Sequence, residues 1–322
     1  MRSLPNTNIN KFGPFVILVY LLLLGTTGCS LLSTSGAAAE DSALSAPYEK
    51  PVVSGKLGSP DLKEASGIAA SKCQTNVFWT HNDSGDDALL YAIDSTGKHL
   101  GVWKVEGAAN RDWEDIEAVR SGGKCYVFIA ETGDNDRKYE RIAVYRVEEP
   151  TVVPDGVDSS AKNPLPGVRA DVAYINYPDE KHDAEALLAH PTSGEFYILT
   201  KSRSEPSHIY KFLPKFEGET QTLTKIGELT VPAIPNGTIT GGDISADGKR
   251  VVLCDYFAGY ELALPNGSRS FDEVWTVKPL RIDLGERAIG EAVAYSADGS
   301  FVIAVSEKKH TPVNIVRRKT AN

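Results

Sequence analysis

One short pattern recurs along most of the chain, and an internal repeat limits the available folds more than any isolated motif. Residues 243–254 read DISADGKRVVLC and residues 292–303 read AVAYSADGSFVI. Each has an apolar run, then SADG, then a second run rich in β-branched residues. Asp-Gly between two such runs is a strong hairpin signal. Looser copies lie upstream: SGIAASKCQTNVFWTHND from Ser66, EDIEAVRSGGKCYVFIAETGD from Glu114 and EALLAHPTSGEFYILTKS from Glu185. A third strand follows in ALLYAIDS, RIAVYRVE and SHIYKFLP, and a fourth in HLGVWKVE, ADVAYINY and TLTKIGELTV.

The anchor positions Ser66, Glu114, Glu185, Gly242 and Glu291 are 48, 71, 57 and 49 residues apart, with a Pro- and Asp-rich insertion at 150–168. No segment sustains a helical apolar period. Four-stranded units repeated at this spacing predict an all-β chain folded as a β-propeller. Five blades are expected, with six the alternative if an insertion hides a blade. The last unit ends one strand short, and PVVSGKLG at 51–58 can complete it and close the ring. Closure leaves only short, protected edges.

The repeat gives the acids an address. The stretch RDWEDIEAV at 111–119 crowds Asp112, Glu114, Asp115 and Glu117 around Trp113 and Ile116. In a propeller the first strand of each blade lines the central channel. At or next to the start of those strands stand Glu64, Asp112, Glu114, Asp115, Asp183, Glu185, Asp243 and Glu291. The second strands return to the same face and end at His81, Glu131, Lys201, Asp255 and Glu307. Together they predict a ring of carboxylates, with Lys201, Arg203, Arg111 and His81 among them. His81, Asp83, Lys201 and Arg203 are the candidate ligand-binding residues. Side chains alternate along a strand, so Glu114 and Ile116 share a parity, a tension that either a bulge or a strand starting after Asp115 would resolve. Converging acids invite a cation, and oxygen-only ligands favour Ca²⁺ or Mg²⁺ over zinc. The alternative role for these acids is capping turns and pairing with neighbouring blades.

The flanks point to the cell envelope. Arg2 and Lys11 precede the apolar run FVILVYLLLL at 15–24, too short for a typical spanning helix and suited to a signal peptide. GTTGCS follows and resembles a bacterial lipoprotein signal, which makes Cys29 the lipidated residue, although Thr26 stands where Leu is usual; the alternative is an ordinary signal peptide cut nearby or an uncleaved N-terminal anchor. The expected organisation is a leader at 1–28, a flexible tether at 29–49 and one propeller domain at 50–322. This implies membrane attachment by lipid alone, at the periplasmic face of the outer membrane or the cell surface, and a monomer.

The 34 basic and 43 acidic side chains leave a net charge of −9. That argues against nucleic acid, which wants a basic face. Cys73 and Cys125 sit in similar contexts, ASKC and GGKC, and the envelope permits a disulfide between them; unpaired thiols are the alternative. Cys254 in VVLCDY suits a small buried core residue. There is no Cys/His spacing for zinc, no GxSxG elbow, no HExxH and no phosphate-binding glycine loop.

SGIAAS, VFWTHNDSGDDALLYAID and the glycine-led strand after them resemble blades of bacterial extracytoplasmic propellers, nearest the esterase-like phytase and gluconolactonase-like groups. The resemblance spans about 50–322. It implies Ca²⁺ bound through Glu64, Glu114, Glu185, Asp243 and Glu291, and in some members hydrolysis of phosphate esters or lactones. Two functions follow from these observations. One is a lipid-anchored propeller that binds a ligand or envelope protein on its acidic face with a divalent cation. The other is a metal-dependent hydrolase.

Overall fold

The computed structural model describes residues 47–232 and 238–319. The leader, Cys29 and most of the tether lie outside the described residues. Within them no helix is long and apolar enough to cross a membrane.

Strand β1 (Val52–Lys56) comes first. Four strands then meander antiparallel: β2 (Ala65–Ala70), β3 (Phe78–Asn82), β4 (Leu89–Ile93) and β5 (His99–Glu106). β6 (Trp113–Ser121), β7 (Lys124–Glu131), β8 (Ile142–Glu148) and β9 (Leu165–Asn176) repeat the meander. So do β10 (Ala184–Ala189), β11 (Phe196–Thr200), β12 (Ser207–Phe212) and β14 (Thr224–Leu229), while the short β13 (Gln221–Thr222) pairs with β9. β15 (Gly241–Ile244), β16 (Arg250–Cys254), β17 (Gly259–Ala263) and β18 (Leu280–Ile282) follow, with a 3₁₀ turn over Phe271–Thr276 before β18. The last sheet has the order β1-β21-β20-β19, from β19 (Gly290–Tyr295), β20 (Phe301–Ser306) and β21 (Pro312–Arg317).

The first strands β2, β6, β10, β15 and β19 lie side by side in that order, and β19 returns to β2. The architecture is that of a β-propeller. Its cores lie between neighbouring sheets. Trp79, Trp103, Trp113 and Ile116 share one cluster, and Leu188, Tyr197, Leu253 and Tyr260 another. Sheets covered on both faces explain why β3 and β4 are buried along their whole length, whereas the outer β9 alternates. Burying aromatic side chains of this size contributes about 2–3 kcal/mol each.

Three features differ from the sequence-based expectation. The insertion at 150–168 is not all loop: β9 begins at Leu165 and pairs in parallel with β5, Trp103 opposite Leu165. That pairing sews two meanders edge to edge. Among the described residues, strand pairing already starts at Tyr48, which bridges to Arg318; the Tyr48 hydroxyl and the Arg318 guanidinium both reach Glu261, the latter at 2.8 Å. The fourth strand after β17 shrinks to three residues behind the 3₁₀ turn. The expected closing strand is β1, paired antiparallel to β21. Cys73 and Cys125 are joined by a disulfide between the β2–β3 turn and β7.

Candidate functional site

Most of the channel strands begin with an irregularity. β2 pairs Ala65 with Asn82 and then Ile68 with Thr80, one residue too many on its side. β6 passes from Trp113–Glu131 to Asp115–Ala130, β10 from Ala184–Thr200 to Ala186–Leu199, and β19 from Gly290–Ser306 to Ala292–Val305. A bulge leaves its extra residue out of the ladder and re-aims its side chain. The skipped residues are Glu114, Glu185 and Glu291, with Ser66 and Gly67 in β2. With Glu114 out of the count, Trp113 and Ile116 fall on one face and share a core. β15 alone among the channel strands is regular. Gly67 lets β2 approach β6: a Cβ there would stand 2.8 Å from the Ile116 nitrogen.

At the mouth, one oxygen each of Asp83, Asp112 and Glu114 lie within 4.8 Å of one another, as do those of Glu114, Asp183 and Glu185. Glu114 belongs to both groups. Lys201 pairs with Glu185 and lies 3.9 Å from Asp183. The second oxygen of Glu185, Oε2, is buried with no hydrogen-bond partner among the described residues. Gly133 keeps space open behind the acids, since a Cβ would meet Glu114 Oε1 at 2.1 Å and Asp112 Oδ2 at 2.5 Å. The Asp134 N–H donates to Asp183 Oδ1 at 2.8 Å and fixes that carboxylate.

The electrostatics show too much negative charge for one ammonium. Burial, and then Asp83, Asp183 and Glu131, push Asp112 up to about 6. Burial, followed by Asp83, holds Glu114 well above the carboxylate range. Glu291 is pushed up to about 9 by burial and by Glu307, with which it shares a hydrogen bond. Burial lowers Lys201, but Glu114, Tyr256, Asp183 and Glu291 together overcome it and raise the group. Burial and mutual repulsion thus favour the protonated carboxyls, and a bound cation would relieve the same repulsion.

Other predicted residues do different work. Asp115 and Asp243 turn away from the mouth. Asp115 accepts the Ile116 and Leu187 N–H groups at 2.8 and 2.9 Å, and Asp243 accepts the Tyr295 N–H at 2.8 Å. Neighbouring channel strands do not share a ladder, so these carboxylates satisfy N–H groups across the gap. Glu131 accepts the Arg111 and Asp112 N–H groups and pairs with the Arg111 guanidinium at 3.1 Å. Asp255 accepts the Phe257 and Ala258 N–H groups and the Tyr260 hydroxyl. His81 is buried edge-on to Trp113, and burial pushes it down to about 4. Glu64 and Arg203 are exposed; the Glu64 carbonyl accepts the Asp83 N–H at 2.9 Å, and the Glu64 carboxylate adds to the negative field on Asp83. Cys254 is an unbridged, buried thiol. Gly133 was not anticipated; in ETGD it has the look of an ordinary turn glycine.

No protein-family profile matches the chain, and no curated protein matches it. Among solved structures, a gluconolactonase from Xanthomonas campestris is similar at 10% identity. The match covers 85% of this chain and 97% of that one, with a TM-score of 0.44. Likeness at that distance says nothing of what this chain binds.

Proposed function

We propose that this chain is an envelope propeller, tethered through Cys29, that binds a divalent cation at its channel mouth and, through it, a ligand or an envelope protein. Counting the two sewn meanders as separate blades, the ring has five. The observation that carries the cation is Glu114, set by its bulge between two groups of converging carboxylates. The unpartnered Glu185 oxygen supports it independently. Ca²⁺ fits better than Mg²⁺, because it takes six to eight oxygens in flexible geometry while Mg²⁺ demands a near-ideal octahedron.

The test is calorimetry and thermal melting of the metal-free chain with added Ca²⁺. Micromolar binding is expected, with stabilisation of about 2.7 kcal/mol at a hundredfold excess over Kd. Glu114→Gln should weaken binding about a hundredfold, and Gly133→Ala should weaken it too by crowding Glu114 and Asp112. No heat and no melting shift with Ca²⁺, Mg²⁺ or Mn²⁺ would sink the cation; the acids would then act as pairs between blades.

Lys201 supports a second reading, a metal-dependent hydrolase of phosphate esters or lactones. Its side chain is 12% exposed beside the carboxylates, where an ammonium next to a bound cation would stabilise a developing oxyanion. Turnover of a phosphomonoester or lactone, abolished by EDTA and by Lys201→Met, would favour it. Binding without turnover would favour the first reading.

A further inference from the structure

Outside the carboxylate ring, a nitrogen-bearing cluster forms on the β10–β14 sheet. His208 and Tyr210 are two apart on β12, so the strand's alternation sends both to one face. Asp179 and His182 come from the connection between β9 and β10. The Tyr210 hydroxyl oxygen lies 2.9 and 2.8 Å from the two Asp179 oxygens, 2.8 Å from His182 Nε2 and 3.4 Å from His208 Nδ1. His182 Nε2 is 3.2 Å from Asp179 Oδ1. Ligand atoms of Asp179, His182 and His208 all lie within 4.8 Å of one another.

From this geometry we propose that Asp179, His182, His208 and Tyr210 form a zinc site, distinct in ligand chemistry from the carboxylate ring. Zinc bonds of about 2.0–2.1 Å in a tetrahedron put ligand atoms about 3.3 Å apart. The distances from the Tyr210 hydroxyl to the other three residues and from His182 to Asp179, 2.8–3.4 Å, straddle that edge length, and a ligand atom of His208 lies within 4.8 Å of those of both Asp179 and His182. Two imidazoles select zinc over Ca²⁺ or Mg²⁺. The other nitrogen of His208, Nε2, faces Glu228 at 3.4 Å. A carboxylate behind a metal-bound histidine fixes its tautomer and leaves the opposite nitrogen for the ion. The rings are held in place: Tyr177 stands edge-on to His182 and to Tyr210, each at 4.8 Å, and His182 is edge-on to His208 at 5.1 Å. Asp179 is the way in. Its side chain is 37% exposed and lines an open cleft of about 430 Å³ with Tyr177, Arg137 and Lys181. Four protein ligands close the coordination sphere, the mark of a structural site. The ion would staple the β9–β10 connection onto β12.

The experiment titrates the full, untagged, metal-free chain with Zn²⁺, and with Co²⁺ as a spectroscopic probe. One equivalent of Zn²⁺ should bind, raise the melting temperature and resist a large excess of Ca²⁺. Co²⁺ should give the intense visible bands of tetrahedral nitrogen and oxygen ligation. His208→Gln should weaken Zn²⁺ at least a hundredfold, and Glu228→Gln about ten- to a hundredfold. Glu114→Gln, in the carboxylate ring, should leave Zn²⁺ affinity unchanged, so failure of the two sites can be told apart. No Zn²⁺ bound at one equivalent, Zn²⁺ affinity indifferent to His208→Gln, or only weak octahedral Co²⁺ bands in the unaltered chain would overturn the site. The Co²⁺ spectrum needs no variant and stands even if one fails to fold.

Discussion

Glu114 shows how one extra residue changes what a side chain can do. In a regular strand it would share a face with Ile116 and meet the core. In a bulge it leaves that face and joins acids from neighbouring strands. The consequence is readable by titration. Asp112 and Glu291 keep their protons up to about 6 and about 9 in the folded chain, whereas free carboxyls release theirs near 4. Between those limits the unfolded chain has given up protons that the folded chain retains, so rising pH favours unfolding. Stability from these two groups is complete below about pH 4 and lost as pH climbs through about 6 and about 9. The metal-free chain should therefore lose melting temperature over this window. Saturating Ca²⁺ should flatten the lower part, where the ion replaces the proton of Asp112. A metal-free melting temperature that rises across the window would contradict this account.

At the level of strands, pairing and cross-linking are separable. The Cys73–Cys125 disulfide joins positions 52 residues apart, and closing a loop of that length stabilises by about 4 kcal/mol in the chain-entropy model. Cys73→Ser with Cys125→Ser should lower unfolding stability by up to that amount in denaturant titration, while leaving Ca²⁺ affinity intact. Equal stability with and without the bond would show that β2–β3 and β7 gain nothing from it. Most first, second and third strands were legible in the sequence, because alternation and Asp-Gly or Gly turns are local signals. The parallel seam between β5 and β9 was not: Leu165 lies in a stretch whose Pro and Asp content reads as loop. The His182, His208 and Tyr210 cluster was equally hidden. Its members match no metal spacing, and only the packing of β12 against the β9–β10 connection brings them together.

For the molecule as a whole, closure is the decisive contact. β1 pairs with β21, and Tyr48, Tyr295 and Arg318 converge on the buried carboxylate of Glu261 from the preceding sheet. Glu261 is buried but the Arg318 side chain is 32% exposed, so removing the carboxylate strands two tyrosine hydroxyls and a partly solvated charge, at a cost of about 1–3 kcal/mol. Glu261→Ala should reduce stability by about that much and make the 47–56 segment susceptible to proteolysis before the remainder unfolds. A loss below about 0.5 kcal/mol, or proteolysis that begins elsewhere, would show that the ring is closed by strand pairing alone.

The periodicity of apolar residues and the placing of turn residues were enough to determine a repeated β fold, its closing strand and the blade ends on which acids accumulate. These follow from alternation along a strand and from turn conformations, both set within a few residues. The tertiary structure was needed to sort the acids. It set Asp112, Glu114, Asp183 and Glu185 around one space, turned Asp115 and Asp243 to the backbone of the next strand, and gave Glu131 and Asp255 to local N–H groups. The direction of a side chain at a strand end depends on bulges and on how closely the next blade approaches. Both are fixed only when the ring closes and distant strands settle into register.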